Sequence, residues 1–561
     1  MRAPACWPTI HILTAALLAT AAPAGAQQPA GQATLPHCDT VISRTSAAAL
    51  SGMFVRSVTA ITSPPSIIPG VAGRMAARLH STTRPSTVLR DLPVVPGDTV
   101  DTVIVGEAMR RLRQRGYLAN VELRGVTCAE RSGVDLTLVS LDRWSLNPNF
   151  SAQGGSSYGG IEERNLFGTG RVGSLSVATR EGRLGGSLGY TDDYLLGLPV
   201  YLRTRIAKYG DGDEVRTRLR NTTQSIQDRW SYQLVLSRYR RDTDTKQSFA
   251  GDEVLIAQAF RREGAFLLVG RRIGDVGASV NSLLIGLDFE RASLNAPDNA
   301  LTVGPKLVER RYHGPTIGFA RRSAVFDTVS WIGEHQVLVD VPLGFEMEGL
   351  VSAGREDVSR EPAAYGSVWI GRMWIPAARR LASVDFWSSG YHIQNQLNFA
   401  AASTRALVSY YARNGATLYS AHLGAEKLVN PDPDVRALQT YDPTLPVIPD
   451  VYRLSENAIE AEFERSDHVR SPISAFNVDA AVFTAGSYRT ASALSQHDHF
   501  GVAVVGAGLR LLPASQGSGA LRIDLMYPAF KSPGTRSGVT LAVSVAPWLQ
   551  ANRQREDPRL R

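Results

Sequence analysis

Arg164-Asn165-Leu166-Phe167-Gly168-Thr169-Gly170 stands where a short, helix-containing N-terminal segment gives way to a long run of alternating strand pattern. Continued to Gly173, the glycines spell G-x-G-x-x-G, the fingerprint of a dinucleotide-binding turn. That turn needs a buried strand before it, a helix after it and an acidic residue about twenty positions on. Here Val172, Ser174, Ser176 and Ala178 alternate with Gly173, Leu175, Val177 and Thr179, so strand period lies on both sides. The glycines read as a tight strand-to-strand connection.

Working toward the C-terminus, short alternating runs recur at residues 200–207, 231–238, 282–289, 366–372, 417–427, 458–465, 501–512, 521–527 and 539–545. In the last, Val539, Leu541, Val543 and Val545 share one face, and Thr540, Ala542 and Ser544 the other. One apolar and one small or polar face, repeated over so many strands, fits a closed transmembrane antiparallel β-barrel better than a sandwich with one core. Closure also removes the unsatisfied strand edges that lipid does not tolerate. The fold expected is therefore mostly β, with a transmembrane barrel over residues 143–549 and a tail at 550–561; the candidate strands number nearer twenty than sixteen. Trp230, Trp369, Trp374, Trp387 and Trp548 are candidates for interfacial girdles or for single core aromatics.

The chain has 561 residues, 43% hydrophobic, with 50 glycines and a formal charge of +8. Its mean hydropathy of −0.10 suggests a soluble protein, but a barrel gives the same average because lipid-facing and lumen-facing residues alternate. Residues 1–26 read as a secretory signal peptide: Arg2, then an apolar core over 10–22, then Ala24-Gly25-Ala26. Residues 27–50 read as a linker. No later segment reaches ~18 uninterrupted apolar residues, so no transmembrane helix is expected. The positive charge suits anionic lipopolysaccharide, acidic clients or an ordinary solvated surface. Without a basic patch interleaved with aromatics, nucleic acid is not expected as a partner. Cys38 and Cys128 remain after the leader and form either a disulfide in an oxidising compartment or two buried thiols.

Residues 51–142 form a small α+β segment. Residues 53–61 read as a strand and 71–79 as a helix ended before Pro85. Asp101 is placed to cap a helix with Val105, Ala108, Met109 and Leu112 on one stripe, and Gly116 to stop it. Two strands follow, over 117–127 and 134–141. The words Leu92-Pro93-Val94-Val95-Pro96-Gly97-Asp98, Leu112-Arg113-Gln114-Arg115-Gly116-Tyr117 and Asp142-Arg143-Trp144-Ser145-Leu146 resemble those of a POTRA domain. The resemblance implies a periplasmic domain whose open sheet edge accepts an extended client strand; a spacer that only orients the barrel is the alternative.

Asn165, Gly168 and Gly170, preceded by Tyr158-Gly159-Gly160, resemble the second barrel strand and turn of the BamA/TamA outer-membrane assembly-factor superfamily, which carries N-[LFW]-x-G-x-G there. Gly506-Ala507-Gly508-Leu509-Arg510 and Ala520-Leu521-Arg522-Ile523-Asp524-Leu525 resemble its closing strands. That family folds a V-R-G-[FY] loop into the lumen, its arginine paired with a late-strand aspartate. Asp434-Val435-Arg436-Ala437-Leu438 occupies the matching interval, so the resemblance implies an Arg436–Asp524 pair, with Arg453 as the competing arginine. The loop glycine and aromatic are replaced by Ala437 and Leu438, which removes a residue free to take positive φ.

The resemblance further implies a barrel of about 16 strands, some of the runs merging or lying in loops, with outer-membrane lipids, lipopolysaccharide, unfolded barrel clients and periplasmic chaperones as partners and strand addition as the mechanism. A passive pore that retains only the fold is the alternative. Gly185-Gly186-Ser187-Leu188-Gly189 spells a nucleophile elbow but sits in strand pattern with no helix after it. The histidines lack metal-site spacing and the carboxylates form no paired cleft, so no catalytic residue, metal or cofactor is expected.

Overall fold

The computed structural model describes residues 41–44, 50–65, 78, 80–128, 131–153, 156–180, 183–210, 212–221, 226–249, 252–295, 309–331, 339–357, 360–393, 401–429, 457–469, 476–491, 498–513, 520–531 and 538–546. The N-terminal unit holds β1 (Val41–Arg44), β2 (Val55–Ser63), helices α1 (Pro85–Leu89) and α2 (Thr102–Arg113), then β3 (Leu118–Cys128) and β4 (Arg131–Asp142). Its sheet order is β1-β3-β4-β2, with β2 parallel to β4 and the other pairs antiparallel.

Asp101 caps α2 as expected, its Oδ1 accepting from Val103 N at 2.7 Å and Ile104 N at 3.2 Å. This satisfies two of the free N–H groups of the first turn. The stripe Val105, Ala108 and Leu112 packs on Val55, Leu118, Leu136 and Leu138, all buried. Each such side chain contributes roughly 1.5–3 kcal/mol. The helix stops at Arg113 with Gln114 as C-cap, so Gly116 is not the stop. Its lack of a side chain serves a close approach instead, since a Cβ there would lie 3.3 Å from Arg164. Two further elements depart from expectation. Residues 41–44, assigned to the linker by composition, form β1; α1 begins at Pro85, whose fixed φ suits a first helical position. The expected helix at 71–79 falls almost wholly outside the described residues.

The barrel comprises β5 (Leu146–Gln153), β6 (Ser156–Leu166), β7 (Arg171–Arg180), β8 (Arg183–Asp192), β9 (Val200–Tyr209), β10 (Gly212–Asn221), β11 (Trp230–Phe249), β12 (Asp252–Ile273), β13 (Ser279–Asn295) and β14 (Glu309–Ser323). A small hairpin, β15 (Phe326–Val329) and β16 (Val339–Pro342), leads to β17 (Gly344–Glu356), β18 (Pro362–Ala377), β19 (Arg380–Ile393), β20 (Ala401–Asn414) and β21 (Thr417–Val429). The wall ends with β22 (Asn457–Val469), β23 (Phe476–Ala491), β24 (Asp498–Pro513), β25 (Ala520–Lys531) and β26 (Thr540–Ala546). Twenty strands, β5–β14 and β17–β26, pair into a closed ring. The sixteen implied by the resemblance is too low, and the count of alternating runs, nearer twenty, matches the ring.

Alternation sorts the wall as a membrane barrel requires. On β13, Leu283, Ile285, Leu287 and Phe289 are 44–56% exposed, whereas Leu284 and Asp288 between them are 5% and 2% exposed. On β22, Ile459 and Phe463 point outward while Glu460, Glu462 and Glu464 occupy the other face. Trp374 is exposed, as a girdle needs, and Trp230 is exposed at the start of β11, where it also borders the lumen cavity. Trp369 instead lines the lumen, with Trp387 opposite it in register on the same face. Trp548 lies outside the described residues. Ser187 is an ordinary strand residue of β8, its Oγ 2.6 Å from Ser176 Oγ, so the G-x-S-x-G spelling marks no elbow.

Candidate strand-addition seam and its anchor

The first and last barrel strands meet through two residue pairs, Val543↔Ala152 and Ser544↔Ser151, among the described residues. On their other sides, β26 pairs with β25 at seven positions and β5 with β6 at eight. The composition of both strands explains the weak join. β5 reads Leu146-Asn147-Pro148-Asn149, and Pro148 has no N–H to donate while asparagine is a poor strand former. β26 is short, and Pro547 follows its last residue. Both pairs lie toward the β5–β6 connection, away from the N-terminal domain.

At the opposite end of β6, the opening motif forms an anchor. Asn165, fully buried, donates from Nδ2 to Ser81 O at 3.0 Å and Thr83 Oγ1 at 2.8 Å, while its Oδ1 accepts from Gly170 N at 2.8 Å. Gly168 O accepts from Arg84 N at 2.9 Å and Thr87 Oγ1 at 3.0 Å. Gly168 and Gly170 have φ of +73° and +72°. A Cβ at Gly168 would fall 2.3 Å from Thr82 O, and one at Gly170 2.8 Å from the Tyr117 hydroxyl. Only glycine satisfies both the backbone conformation and the clearance. The turn between β6 and β7 is thus keyed into the N-terminal domain.

Ion pairs extend the anchor. Arg115 grips Asp91 through Nε at 2.9 Å and Nη2 at 2.7 Å, and also pairs with Asp193 beyond β8. Tyr194 donates its hydroxyl to Asp91 Oδ1 at 2.6 Å. Burial pushes the Asp91 carboxyl up, but the Arg115 charge and the hydrogen bonds outweigh it and hold the group below the usual carboxylate range. Nearby, Arg113 takes Asp340 of β16 at 2.8 and 2.9 Å, tying α2 to the hairpin.

On the other side of the seam, Asp524 of β25 and Glu464 of β22 converge on Arg510 of β24, which is 1% exposed. Glu464 lies 2.5 Å from Arg510 Nη2 and 3.2 Å from Arg522 Nη2; Asp524 lies 3.4 Å from Arg522 Nε and also accepts from Arg510 Nη1. Sequence reading singled out Asp524 but missed Arg510 and Glu464. The signal was present in Glu460-Ala461-Glu462-Phe463-Glu464, where acids alternate with apolar residues and must therefore face the lumen. Arg436 and Arg453 lie outside the described residues, as does Cys38.

The geometry defines a transmembrane β-barrel whose β6–β7 turn is locked to a small α+β domain and whose terminal strands are joined through two residue pairs among the described residues. In sequence its likeness is to the BamA/TamA-type outer-membrane assembly-factor superfamily. No family model matches the chain. It is 30% identical over 134 residues to the outer membrane protein assembly factor BamA of Neisseria meningitidis serogroup B (strain ATCC BAA-335 / MC58), a match covering 22% of this chain. The chain thus spans 17% of that relative's length. Among solved structures, BamA from Haemophilus ducreyi lacking POTRA domains 1–3 aligns at TM-score 0.37 and 13% identity, over 88% of this chain and 84% of that one. CdiB from Escherichia coli aligns at TM-score 0.42 and 11% identity, over 90% and 80%.

Proposed function

We propose that this chain is an outer-membrane barrel that inserts or translocates other outer-membrane polypeptides by strand addition. The observation that carries this reading is the seam of two pairs among the described residues, set in a wall whose neighbouring joints hold seven and eight pairs. A client strand offered to the β5 or β26 edge exchanges two weak pairs for a complete ladder of main-chain hydrogen bonds. No nucleotide or cofactor is required; the driving force is client pairing and burial of its apolar face in lipid.

The N-terminal unit acts as a periplasmic POTRA-type domain. Its β2 edge, opposite β4, is unpaired along Ser57–Ser63 among the described residues and suits a first docking site for an extended client. Periplasmic chaperones would deliver such clients, and the outward apolar belt meets outer-membrane lipid and lipopolysaccharide.

The test joins the seam covalently. Ser151→Cys with Ser544→Cys, placed at directly opposed positions, is expected to stop assembly of client barrels when oxidised and to restore it on reduction. Client levels unchanged by the cross-link, with ion conductance retained in planar bilayers, would replace the strand-addition reading with a passive pore.

A further inference from the structure

Three exposed arginines stand near the end of the wall that meets the N-terminal domain: Arg271 on β12, Arg321 on β14 and Arg372 on β18. Alternation places them on the outer face. Arg271 follows Leu267 in parity, Arg321 follows Ile317 and Phe319, and Arg372 precedes Trp374, all exposed, while Leu268, Ala320 and Met373 between them are buried. Arg321, like Trp230, also borders the rim of the lumen cavity.

The register sets the three at one height. The rung that starts at Trp230, the first residue of β11, passes Arg271, Leu283, Phe319 and Gly349 and meets Val368 well inside β18. Rungs therefore climb away from the domain along this wall. Arg321 lies two strands across from Arg271 and two residues back toward the domain. Arg372 repeats that step from Arg321, through Met347 and Ile370. Strand and residue spacings give the step a slope of about 35°, which matches the tilt of barrel strands. The row thus runs level around the wall, its members about 12 Å apart.

The surroundings of the row show what it faces. Farther from the domain the same face carries Leu267, Leu283, Phe319 and Val351, 36–53% exposed, a belt suited only to lipid. The Arg271 guanidinium lies 5.4 Å from the centre of the Trp230 ring and that of Arg372 5.9 Å from the Trp374 ring. Indoles beside such a belt belong at headgroup level. Around the row no Asp or Glu shares this face of β11–β14, β17 and β18, whereas toward the other end of the wall Arg238 has Glu263 at 3.7 Å. None of the three arginines has a carboxylate partner among the described residues.

We infer that the row is a binding belt for anionic phospholipid, each guanidinium taking a headgroup phosphate while its stem lies along the apolar wall. This assignment rests on the outer-membrane reading above and adds a lipid class and a place to it. β14, at the middle of the row, stands halfway round the ring from the seam. Bound lipid therefore steadies the wall opposite the joint at which a client strand would enter.

The test titrates the full-length protein in detergent micelles with phosphatidylglycerol carrying a fluorescent chain. Binding is expected to be tighter than for equally labelled phosphatidylcholine, and the preference to fall as salt rises. Arg271→Gln with Arg321→Gln and Arg372→Gln should weaken it by at least about tenfold. Lysine at the same three positions should recover most of the loss, since an ammonium also holds phosphate as a point charge. Arg238→Gln, at the other end of the wall, should leave the affinity unchanged. The triple glutamine variant should keep the parent's Tm without added lipid, because no ion pair is broken, so weaker binding cannot be ascribed to a damaged fold. Equal affinity for phosphatidylcholine, no loss in the glutamine variant, or equal displacement by inorganic phosphate would overturn the inference. Tighter binding of lipid A than of phosphatidylglycerol would overturn it too, in favour of lipopolysaccharide. Failure of phosphatidylglycerol to bind while the oxidised seam cross-link still blocks client assembly sinks the belt and leaves the proposed function standing. Binding alongside an inert cross-link upholds the belt and removes the strand-addition reading alone.

Discussion

The seam and the anchor stand at opposite ends of the same β5–β6 hairpin, and they are held by different means. The seam has backbone pairing alone, at Ser151 and Ala152, and none between β26 and residues 146–150 among the described residues. The anchor combines a buried amide, two glycines in left-handed conformation and a bidentate buried ion pair. The barrel is loosest along β5 and firmest one turn later, so any opening at the seam swings against a fixed post. Among the described residues, the part of β5 without a β26 partner is the part nearest the N-terminal domain.

The sharpest way to break the contrast is to remove Arg115. Arg115→Ala strands Asp91 in a buried site, and losing one partner of such a pair costs about 3–5 kcal/mol. In the full chain this should appear as a lower unfolding midpoint for the N-terminal domain and early proteolysis there, with the barrel ladder intact. Next in size is Gly168→Ala. A Cβ forced against the Thr82 carbonyl in a left-handed turn should cost about 3 kcal/mol and release the turn from the domain. Asn165→Ala leaves Gly170 N and the partners at Ser81 and Thr83 without their amide, for about 2 kcal/mol by the same unfolding assay. An Asn165→Ala variant as stable as the parent would show that the anchor rests on its ion pairs alone.

Acid should act on the anchor before the seam. The Asp91 carboxyl is held below its unfolded value, so its contribution is complete above that value, near pH 4, and is lost as pH falls through the lower folded one. Domain release measured by limited proteolysis should therefore begin below about pH 4, and Asp91→Asn should flatten that part of the profile. The sign would be reversed had the pKa been raised.

How far these features were legible in the sequence follows from how local their signals are. Strand period, the Asp101 cap and the α2 stripe are written within a few residues, and they are where they were expected. Strand number was legible too, in a count of alternating runs nearer twenty, and only the resemblance set it too low. The Asn165–Gly170 motif was recognisable as a turn, yet its contacts with Ser81, Thr83 and Thr87 are made more than eighty residues away, beyond what spelling can report. Arg510 was missed for a similar reason. It read as one charge in a closing strand, and only the register of β22, β24 and β25 brings Glu464 and Asp524 to it. Trp369 and Trp387 were open between girdle and interior, and the register of β18 with β19 puts them on one lumenal face.

The smallest expected effect tests the seam itself. In native-state hydrogen exchange, opening two pairs requires far less free energy than opening a complete ladder, so the amides of the one opposed pair that points across the seam, Ser151 with Ser544 or Ala152 with Val543, should exchange by local opening rather than by unfolding. Amides of β6 and β7 beside the anchor should exchange orders of magnitude more slowly. Arg115→Ala should narrow that gap by accelerating the β6–β7 turn while leaving the seam amides unchanged, because the anchor's ion pair does not touch β26. If the seam amides accelerate together with the turn, the post and the opening are one cooperative unit, and the division drawn between them is wrong.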